Sequence, residues 1–521
     1  MAERKMAKCD SKAASSTMVQ VDIVTESIAR MRLCSPNFAV GLEDLNVTSK
    51  KDALHAREHR KEIPLSQGER YARIALLLSV ACNIVVVFLV IPILNSRLSH
   101  AYNHDKFTDG YDLIASNLVA GNGYRFYPDT AQTMMREPGY PLLLAGLYLV
   151  FGKSFVIVKS ANLAFALMTA WLLRLLTQRV VQCNTISSTI CADLASSLFF
   201  LHPGIMIAES RGGVELLFAM LTTGLILVLI DACTRNSLLR FAAAGAILGL
   251  IVIVRSTPVL FPILFFAGLL LLQRKPRPLH ATLKQFLAFT LAMTCVMSPW
   301  IVRNFKLTHR FVPTASVLGV SAQAGEYINS RLWTGKPFWL LDREASRERD
   351  KIADQLGYRF EDGANGYYQT FYRAQDELTF SAYLMHSVTT IYRKSPLLFA
   401  RCIAQNAFNF WFSGRTWDAT LANIIVQMPY LAFAIVGIVS LIKQERLQVI
   451  LPILVYMGGI IAVHLPVLAQ ARYSIPFVPL LATLSIAGVA EIWKRSIGRI
   501  GALDTRVLAR VVSCEGTPKA S

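Results

Sequence analysis

The sequence predicts an all-α polytopic membrane protein with about ten transmembrane helices. Of the 521 residues, 54% are hydrophobic and only 17% are charged, whereas soluble domains hold about 45–50% apolar and about 25% charged residues. Apolar runs of about 20 residues, the length that crosses a bilayer, recur along the chain. Basic residues also concentrate in the connections between alternate runs, as expected of cytoplasmic loops.

Ten apolar segments have spanning length. They are 72–95, 155–176, 186–207, 212–232, 238–254, 257–273, 282–302, 419–442, 447–467 and 475–493. With a cytoplasmic N-terminus, the inner connections carry Arg174, Arg179, Arg235, Arg240, Arg274, Lys275, Arg277, Lys284, Lys443, Arg446, Lys494, Arg495 and Arg499. If the shorter apolar piece 138–152 also crossed, every later connection would change sides and this agreement would be lost. We therefore predict interfacial helices at 138–152 and 396–412, within two long outer loops, 96–154 and 303–418.

The chain divides into three predicted regions. Residues 1–68 are polar and lack the apolar core of a signal peptide, which predicts a mostly disordered cytoplasmic tail. Residues 69–495 form the membrane domain, and residues 496–521 form a second cytoplasmic tail. The nine cysteines include no CxxC pair, and His and carboxylate residues show no metal-ligand spacing. We predict no disulfide framework and no cofactor, and a divalent metal is not expected.

Four arginines lie at predicted outer ends, where the topology predicts few basic residues. They are Arg136 in "REPGYP", Arg255 in "RSTP", Arg303 in "PWIVRN" and Arg472 in "ARYSIP". Any one of them could reach lipid headgroups by snorkelling. Together they favour a shared site for a phosphate, because the guanidinium fork donates two parallel hydrogen bonds to this group.

The first outer loop supplies carboxylates, in "HDKFTDGYDLIASNLVAGNGY". Asp105, Asp109 and Asp112 are spaced i, i+4 and i+7, so a helix would place them on one face. Two interpretations of Asp109 stay open: it caps a helix that ends at Gly121, or it is a general base for an acceptor hydroxyl. Glu215, at the outer start of a span, is either a carboxylate favoured by the helix dipole or part of the same site.

In this combination the residues resemble the C-type membrane glycosyltransferase superfamily, in the branch of protein O-mannosyltransferases and lipid A aminoarabinose transferases. The resemblance covers about residues 70–495. It rests on "DGYDLIASNLVAGNGY", "REPGYPLLLAGLYLVFG", Pro203 followed by Glu215, "SPWIVRN" and "ARYSIPFVPLL". It implies an enzyme that transfers a sugar from a polyprenyl-phosphate carrier to an acceptor on the periplasmic or lumenal side. Direct displacement by the acceptor hydroxyl would invert the anomeric centre.

The resemblance also implies residue roles. The family's catalytic base is a first-loop aspartate, and a basic residue before the "PGYP" element contacts the donor phosphate, which here indicates Asp109 and Arg136. In the family this aspartate often lies four residues before the loop tyrosine, where this chain has Phe107. Asp105 therefore stays the second candidate for the base. Further site candidates in the shared motifs are Tyr111, Tyr140 and Tyr473.

The main alternative function is a multi-pass transporter or lipid flippase. Transporters place ionisable groups near the middle of the membrane and have short loops, whereas these spans nearly lack such groups and two outer loops are long. The expected partners are a polyprenyl-phosphate-sugar donor, membrane lipids and a protein, lipid or glycan acceptor. Despite the net charge of +19, no basic stretch is interleaved with stacking aromatic residues, so no nucleic acid is expected. The expected location is the bacterial inner membrane, or the endoplasmic reticulum membrane in a eukaryote.

Overall fold

The computed structural model of the chain describes residues 66–98, 109–182, 186–272, 278–358, 360–362 and 369–514. Up to the second outer loop, its helices are α1 (Gln67–Val85), α2 (Ile91–Leu98), α3 (Tyr111–Val119), α4 (Gly139–Phe151), α5 (Phe155–Val180), α6 (Ser188–Leu201), α7 (Pro203–Glu209), α8 (Glu215–Arg235), α9 (Leu238–Val254), α10 (Phe261–Leu272) and α11 (Leu279–Thr308). A π-helical turn, Val86–Val90, joins α1 to α2. The predicted tail 1–68 lies almost wholly outside the described residues.

The predicted second outer loop contains helices and one small hairpin. The remaining elements are α12 (Leu318–Arg331), a 3₁₀ turn (Leu332–Thr334), α13 (Phe338–Gln355), β1 (Phe360–Asp362), β2 (Gln369–Phe371), α14 (Ala374–Lys394), α15 (Pro396–Phe412), α16 (Trp417–Lys443), α17 (Leu447–His464), a second 3₁₀ turn (Ala471–Phe477) and α18 (Val478–Cys514). The antiparallel hairpin, in which Phe360 pairs with Phe371, is an addition to the predicted all-helical class. The helix α18 continues to Cys514, into the region predicted as a tail.

Each of the ten predicted spans coincides with a helix or a helix pair. Seven are long and apolar enough to cross a membrane: Gln67–Leu94, Phe155–Val180, Glu215–Arg235, Leu279–Thr308, Trp417–Lys443, Leu447–His464 and Ala471–Ser496. The pair α6 and α7 makes an eighth, broken crossing, and α9 and α10 are shorter apolar helices. The predicted class, a helical multi-pass membrane protein, is confirmed.

The eighth crossing is bent because of a proline. The axes of α6 and α7 differ by 61°, and Pro203 is the first residue of α7. Proline lacks the N–H that would continue α6, yet it suits the first position of a new helix. The ring of His202 accepts a hydrogen bond from the Gly204 N–H at 3.1 Å and so caps α7. The predicted span 186–207 is therefore broken rather than straight.

The sixth predicted span, 257–273, forms a shorter helix than expected. α10 begins only at Phe261 and has 12 residues, or roughly 18 Å at the α-helical rise. The preceding residues fold into turns around Pro258, with the Val259 N–H bonded to the Ser256 carbonyl at 3.1 Å. The Glu137 carboxylate accepts the Ser256 N–H at 2.9 Å. The connection between α9 and α10 is therefore attached to the "REPGYP" segment instead of continuing a helix.

The "REPGYP" segment leads into α4, a helix too short to cross. Its 13 residues extend roughly 20 Å, against a hydrocarbon core of about 30 Å. Gly139 allows α4 to start against the end of α9, because a Cβ there would lie 2.7 Å from the Val254 side chain and 2.9 Å from the Ile253 carbonyl oxygen. This close approach fixes Arg136 and Glu137 beside the C-terminal end of α9.

Candidate active site

Asp109 lies in a tight turn directly before α3. Asp109 and Gly110 both adopt left-handed backbone conformations, with φ of 62° and 71°. Gly110 is the N-cap residue of α3, and no side chain caps this helix. The capping interpretation of Asp109 is therefore wrong. A left-handed conformation is uncommon for a residue other than glycine and is frequent at functional sites.

Two arginines from distant parts of the chain contact Asp109. The Arg472 Nη2 donates to the Asp109 Oδ1 at 3.1 Å. The Arg136 Nε donates to the Asp109 carbonyl oxygen at 2.8 Å, and its Nη2 lies 4.0 Å from Oδ1. Three of the sequence motifs, "DGYD", "REPGYP" and "ARYSIP", therefore meet at one carboxylate.

Arg255 joins this group through the ring of Tyr473. The Arg255 guanidinium lies 4.3 Å from the ring centroid, and that of Arg472 lies 5.3 Å from the same centroid. Within the described part of the chain, the guanidinium of Arg255 makes no hydrogen bond. The buried Nε of Arg472 likewise has no partner there. The site therefore holds N–H donors that an anion can use.

The charges of these arginines determine the ionisation of Asp109. Burial raises the pKa of Asp109, but the charges of Arg472 and Arg136, the hydrogen bond from Arg472 and the charge of Arg255 together lower it to about 2. Asp109 is therefore ionised at physiological pH. A carboxylate surrounded by guanidinium groups can accept a proton from a neutral hydroxyl while the arginines bind an anion.

Glu215 and two tyrosines complete the group of predicted residues that the structure brings together. Glu215, only 6% exposed at the start of α8, interacts electrostatically with Arg472 and Tyr140. The rings of Tyr111 and Tyr140 meet edge to face at 5.2 Å. The Tyr140 hydroxyl is buried without a hydrogen-bond partner among the described residues. Burial, followed by the charge of Asp109, raises the pKa of Tyr111 well above its usual value.

Arg303 lies apart from this group and has a different set of contacts. Its Nη1 donates to the Thr133 carbonyl oxygen and the Asn304 side chain, both at 2.9 Å, and its Nη2 donates to Gln132 at 3.1 Å. Its guanidinium also lies 4.5 Å from the Trp300 ring centroid. Arg303 therefore holds the segment that precedes Arg136 in place.

Two residues that the sequence analysis did not select also hold this segment. The buried Glu377 accepts hydrogen bonds from the Thr133 hydroxyl at 2.8 Å and the Met134 N–H at 3.0 Å. The Tyr124 hydroxyl bonds to the carbonyl oxygens of Arg136 at 3.0 Å and Glu137 at 2.9 Å. Glu377 resembles any acidic residue in the first turn of a helix, so the sequence carried no signal for it.

The other two candidate aspartates of the predicted first outer loop are Asp105 and Asp112. Asp105 lies outside the described residues. Asp112 accepts the Tyr148 hydroxyl at 2.7 Å and pairs with Lys153 at 3.0 Å, so it joins α3 to α4. Among the residues with described positions, no group of three His, Cys, Asp or Glu side chains could hold a metal ion.

The fold and this site together define a helical multi-pass membrane protein with an arginine-surrounded carboxylate at one end of its helices. No family model and no curated protein matches the chain. Among solved structures, it is similar to the archaeal oligosaccharyltransferase AglB from Archaeoglobus fulgidus, in complex with an inhibitory peptide and a dolichol-phosphate, with a TM-score of 0.47 and 12% identity over 88% of this chain and 53% of that one. The chain thus spans about half the length of that protein.

A second similar structure is ArnT from Cupriavidus metallidurans bound to undecaprenyl phosphate. Its TM-score is 0.35 with 13% identity, over 81% of this chain and 78% of that one. Both matched proteins are C-type membrane glycosyltransferases, the superfamily that the sequence resembles. With TM-scores below 0.5 and identities of 12–13%, neither similarity assigns an activity to this chain.

Proposed function

We propose that this chain is a glycosyltransferase that moves a sugar from a polyprenyl-phosphate carrier to an acceptor hydroxyl at the outer face of the membrane. The observation that carries the proposal is the Asp109 carboxylate in contact with Arg472 and Arg136, at the ends of apolar helices. Such a transfer needs a base for the incoming hydroxyl and fixed positive charge for the departing phosphate. This site offers both to a ligand held in the membrane.

In the proposed reaction, the acceptor oxygen attacks the anomeric carbon of the carrier-linked sugar. The bond between that carbon and the phosphate oxygen breaks, and its electron pair leaves with the phosphate. The hydroxyl proton passes to Asp109, and Arg136, Arg255 and Arg472 stabilise the charge that develops on the phosphate. This single displacement inverts the anomeric centre.

Donor binding would also activate the base. In the free protein, the arginines hold the pKa of Asp109 at about 2, which makes its carboxylate a weak proton acceptor. A bound phosphate would share the N–H groups of Arg472 and Arg136 and add negative charge beside Asp109. Both effects raise the pKa of a carboxyl group, so that Asp109 becomes a stronger base when the donor is present.

The polyprenyl chain would lie along α4. In the C-terminal half of α4, Leu149, Val150 and Phe151 are 63–73% exposed, as expected of a helix that contacts lipid. The N-terminal end of α4 adjoins Arg136, so a phosphate at the arginines and an apolar tail beside α4 fit one ligand. This placement assigns the "REPGYPLLLAGLYLVFG" element to the donor.

The test compares the glycans, lipids and proteins of cells that lack this chain with those of complemented cells, by mass spectrometry. We expect one sugar-modified product to disappear without the chain, to return with the natural sequence, and to stay absent with Asp109→Asn. Asp231→Asn, a matched change outside the site, should restore it. If all modified products are retained and the carrier lipid accumulates unchanged in one leaflet, the result would instead support the alternative function, a transporter or lipid flippase.

The orientation of the chain needs a separate test. We propose that the site faces the outside and that both termini face the cytoplasm, from the distribution of basic residues. A cysteine placed at Ser154, between α4 and α5, should react with a membrane-impermeant thiol reagent added from outside, and the parent chain provides the background. Reaction from the inner side alone would reverse the proposed topology.

A further inference from the structure

Glu209 is a buried carboxylate that the proposed reaction does not use. It is the last residue of α7, and it is 0% exposed. Neither of its carboxylate oxygens has a hydrogen-bond partner among the described residues. A charge that is removed from water without a partner costs much free energy, so this carboxylate needs either a proton or a bound cation to neutralise it.

Asn162 on α5 lies against the end of α7. Its Nδ2 donates to the Arg211 carbonyl oxygen at 2.7 Å and, at 3.5 Å, to the Glu209 carbonyl oxygen. Asn162 is 1% exposed, and its Oδ1 has no hydrogen-bond partner within the described ranges of the chain. Because Oδ1 and Nδ2 are bonded to the same carbon, this unpartnered oxygen also lies beside the end of α7.

Asn83 on α1 supplies another unpartnered oxygen. The residue is 0% exposed, and its Nδ2 donates to the Phe200 carbonyl oxygen at 3.3 Å, near the end of α6. Its Oδ1 has no partner in the part of the chain that the structure describes. The π-helical turn that begins three residues later packs against α7, and the Asn83 side chain neighbours the Glu209 carboxylate. Turns of this kind are frequent at functional sites.

The basic residues nearest in the chain and in the fold do not neutralise Glu209. Lys159, also on α5, donates from Nζ to the Val87 carbonyl oxygen at 3.3 Å, and its Nζ lies 5.4 Å from the Phe155 ring centroid. Neither Lys159 nor Arg211 forms an ion pair with Glu209. The carboxylate therefore lacks a counter-charge from the described side chains.

A proton alone would leave most of these oxygens without a partner. A protonated Glu209 donates one hydrogen bond, so at least one amide oxygen and the second carboxyl oxygen would stay unpartnered. A metal cation contacts several oxygens at once, and carboxylate and amide oxygens are ligands of hard cations. In membrane proteins, Na⁺ is bound where a helix is broken, and α7 is one half of the broken crossing. A single carboxylate balances a single positive charge, which favours a monovalent ion.

We propose that Glu209, Asn162 and Asn83 form a binding site for a monovalent metal cation of the size of Na⁺, where α1, α5 and α7 meet. The ion neutralises the carboxylate and joins α7 to the two other helices. The connection that follows α7 leads to Glu215 at the start of α8, so the ion also holds that connection. This inference goes beyond the proposed function and does not depend on it.

The test measures the binding of radioactive Na⁺ to the full chain in detergent micelles, with choline chloride keeping the ionic strength constant. We expect a single saturable site and a higher unfolding temperature in NaCl than in choline chloride, because a ligand of the folded state stabilises it. Glu209→Gln keeps the shape of the side chain but removes its charge, so it should weaken binding by about tenfold or more and abolish the effect of Na⁺ on unfolding. Asp231→Asn, which removes a carboxylate at a different helix contact, should retain both.

A further variant and the unfolding curves separate the cation site from a protonated Glu209. Glu209→Asp keeps the charge on a shorter side chain and should bind Na⁺ with lower affinity, and the unfolding transition shows that each variant is folded. If a proton neutralises Glu209 instead, the natural chain will bind no Na⁺, and Glu209→Gln will be at least as stable in either salt. That result would overturn the site, as would Na⁺ binding that persists unchanged in Glu209→Gln. No sugar transfer is measured, so failure of the proposed function would not affect the outcome.

Discussion

Aspartates surrounded by arginines occur at both ends of the helices, and the two kinds of cluster differ in construction. At the predicted inner end, the fully buried Asp193 pairs with Arg73 at 3.1 Å and Arg174 at 3.0 Å. At the predicted outer end, Asp109 pairs with Arg472 at 3.1 Å and lies 4.0 Å from Arg136. The residue types and distances are similar, so they alone do not distinguish a structural cluster from a functional one.

The inner clusters join helices to one another. Asp193 on α6 links α1 to α5. Asp231 on α8 lies 3.6 Å from Arg179 on α5 and 2.8 Å from Arg240 on α9. In these clusters the aspartates are on regular helices. Four of the five pairs lie across helix contacts, and the fifth, Asp231 with Arg235 at 3.0 Å, lies within α8. Such clusters fix the arrangement of the helices.

The outer cluster is built on connections instead. Asp109 is in a left-handed turn, about a quarter of its side chain is exposed, and its arginines come from segments before or after helices. Arg472 keeps an unpartnered Nε within the described residues. Binding and catalytic residues are common on connections that a rigid scaffold positions. The two kinds of cluster therefore differ in where their residues lie, and we propose that N–H donors available to a ligand, rather than the ion pairs, distinguish the binding site.

The largest expected effect is the loss of transfer in Asp109→Asn. Asparagine keeps the size of the side chain and tolerates the left-handed turn, but it cannot accept the hydroxyl proton. General-base catalysis contributes about 10²–10⁴-fold, so we expect the turnover rate to fall by at least a hundredfold. The measurement is sugar transfer by the purified chain, with donor binding and thermal unfolding as controls.

The matched change in Asp105 decides between the two first-loop aspartates. Asp105→Asn should keep most of the activity if Asp109 is the base. Loss of activity in Asp105→Asn, with near-normal turnover in Asp109→Asn, would move the base to Asp105. Full activity in both variants would show that the general base is not an aspartate of this loop. It would also contradict the proposed difference between the two ends of the molecule.

Next in size is the effect of removing an outer arginine. Arg472→Gln and Arg136→Gln each lose a charged hydrogen-bond partner, which costs roughly 1.5–3 kcal/mol, or about ten- to a hundredfold in kcat/KM. Michaelis–Menten kinetics with varied donor measure this loss. If both variants keep the kinetics of the natural chain, these arginines do not bind the donor phosphate and instead reach lipid headgroups by snorkelling.

The inner end should show the reverse pattern. Asp193→Asn leaves Arg174 and Arg73 without their counter-charge, and breaking a buried pair costs about 3–5 kcal/mol. Because Arg73 is 40% exposed and Arg174 is 23% exposed, we expect a smaller loss of about 1–2 kcal/mol in the free energy of unfolding. A lower unfolding temperature with unchanged turnover of the folded fraction would agree with this expectation. A defect in turnover alone would contradict it.

The sequence predicted the helices and only some of the residues around Asp109. Long apolar runs specify helices in a membrane almost by themselves, so the helix positions were predictable. The prediction of a shared phosphate site included Arg136, Arg255 and Arg472, which the structure brings together around Asp109 and Tyr473; that they bind a phosphate stays a prediction. The same argument also selected Arg303, but its N–H groups donate to Thr133 and Gln132 of the protein itself. The side of the membrane on which an arginine lies does not tell which groups its N–H donors bind.

Contacts between distant segments account for the rest. Glu377 binds the Met134 N–H across 243 positions of the chain, and no local pattern encodes such a pairing. The late start of α10 depends in part on Glu137, which binds the Ser256 N–H 119 positions away. The left-handed turn at Asp109 excludes the helix cap, and a bond from a distant part of the chain, the Arg136 Nε to the Asp109 carbonyl oxygen at 2.8 Å, holds that turn.

The smallest expected effect is a difference between two pH profiles. In the free chain, the pKa of Asp109 is lowered to about 2, so its ionised form and any stability it contributes are lost only as the pH falls below about 4. Asp109 should therefore add no acid limb to kcat/KM above about pH 4. In the donor complex, the phosphate shares the arginines and raises this pKa, so the acid limb of kcat should lie at higher pH.

A change in Arg255 sharpens this last prediction. Arg255 lowers the pKa of Asp109 by its charge without a hydrogen bond, and it is the last of the contributing arginines. Arg255→Gln should therefore raise the pKa of Asp109 in the free chain by less than the loss of Arg136 or Arg472 would, and it should narrow the gap between the two profiles. Arg235→Gln, at the inner end, should shift neither profile. Coincident acid limbs for kcat and kcat/KM in the natural chain would mean that the donor phosphate does not share the arginines of Asp109, because a shared guanidinium must change the ionisation of the carboxylate.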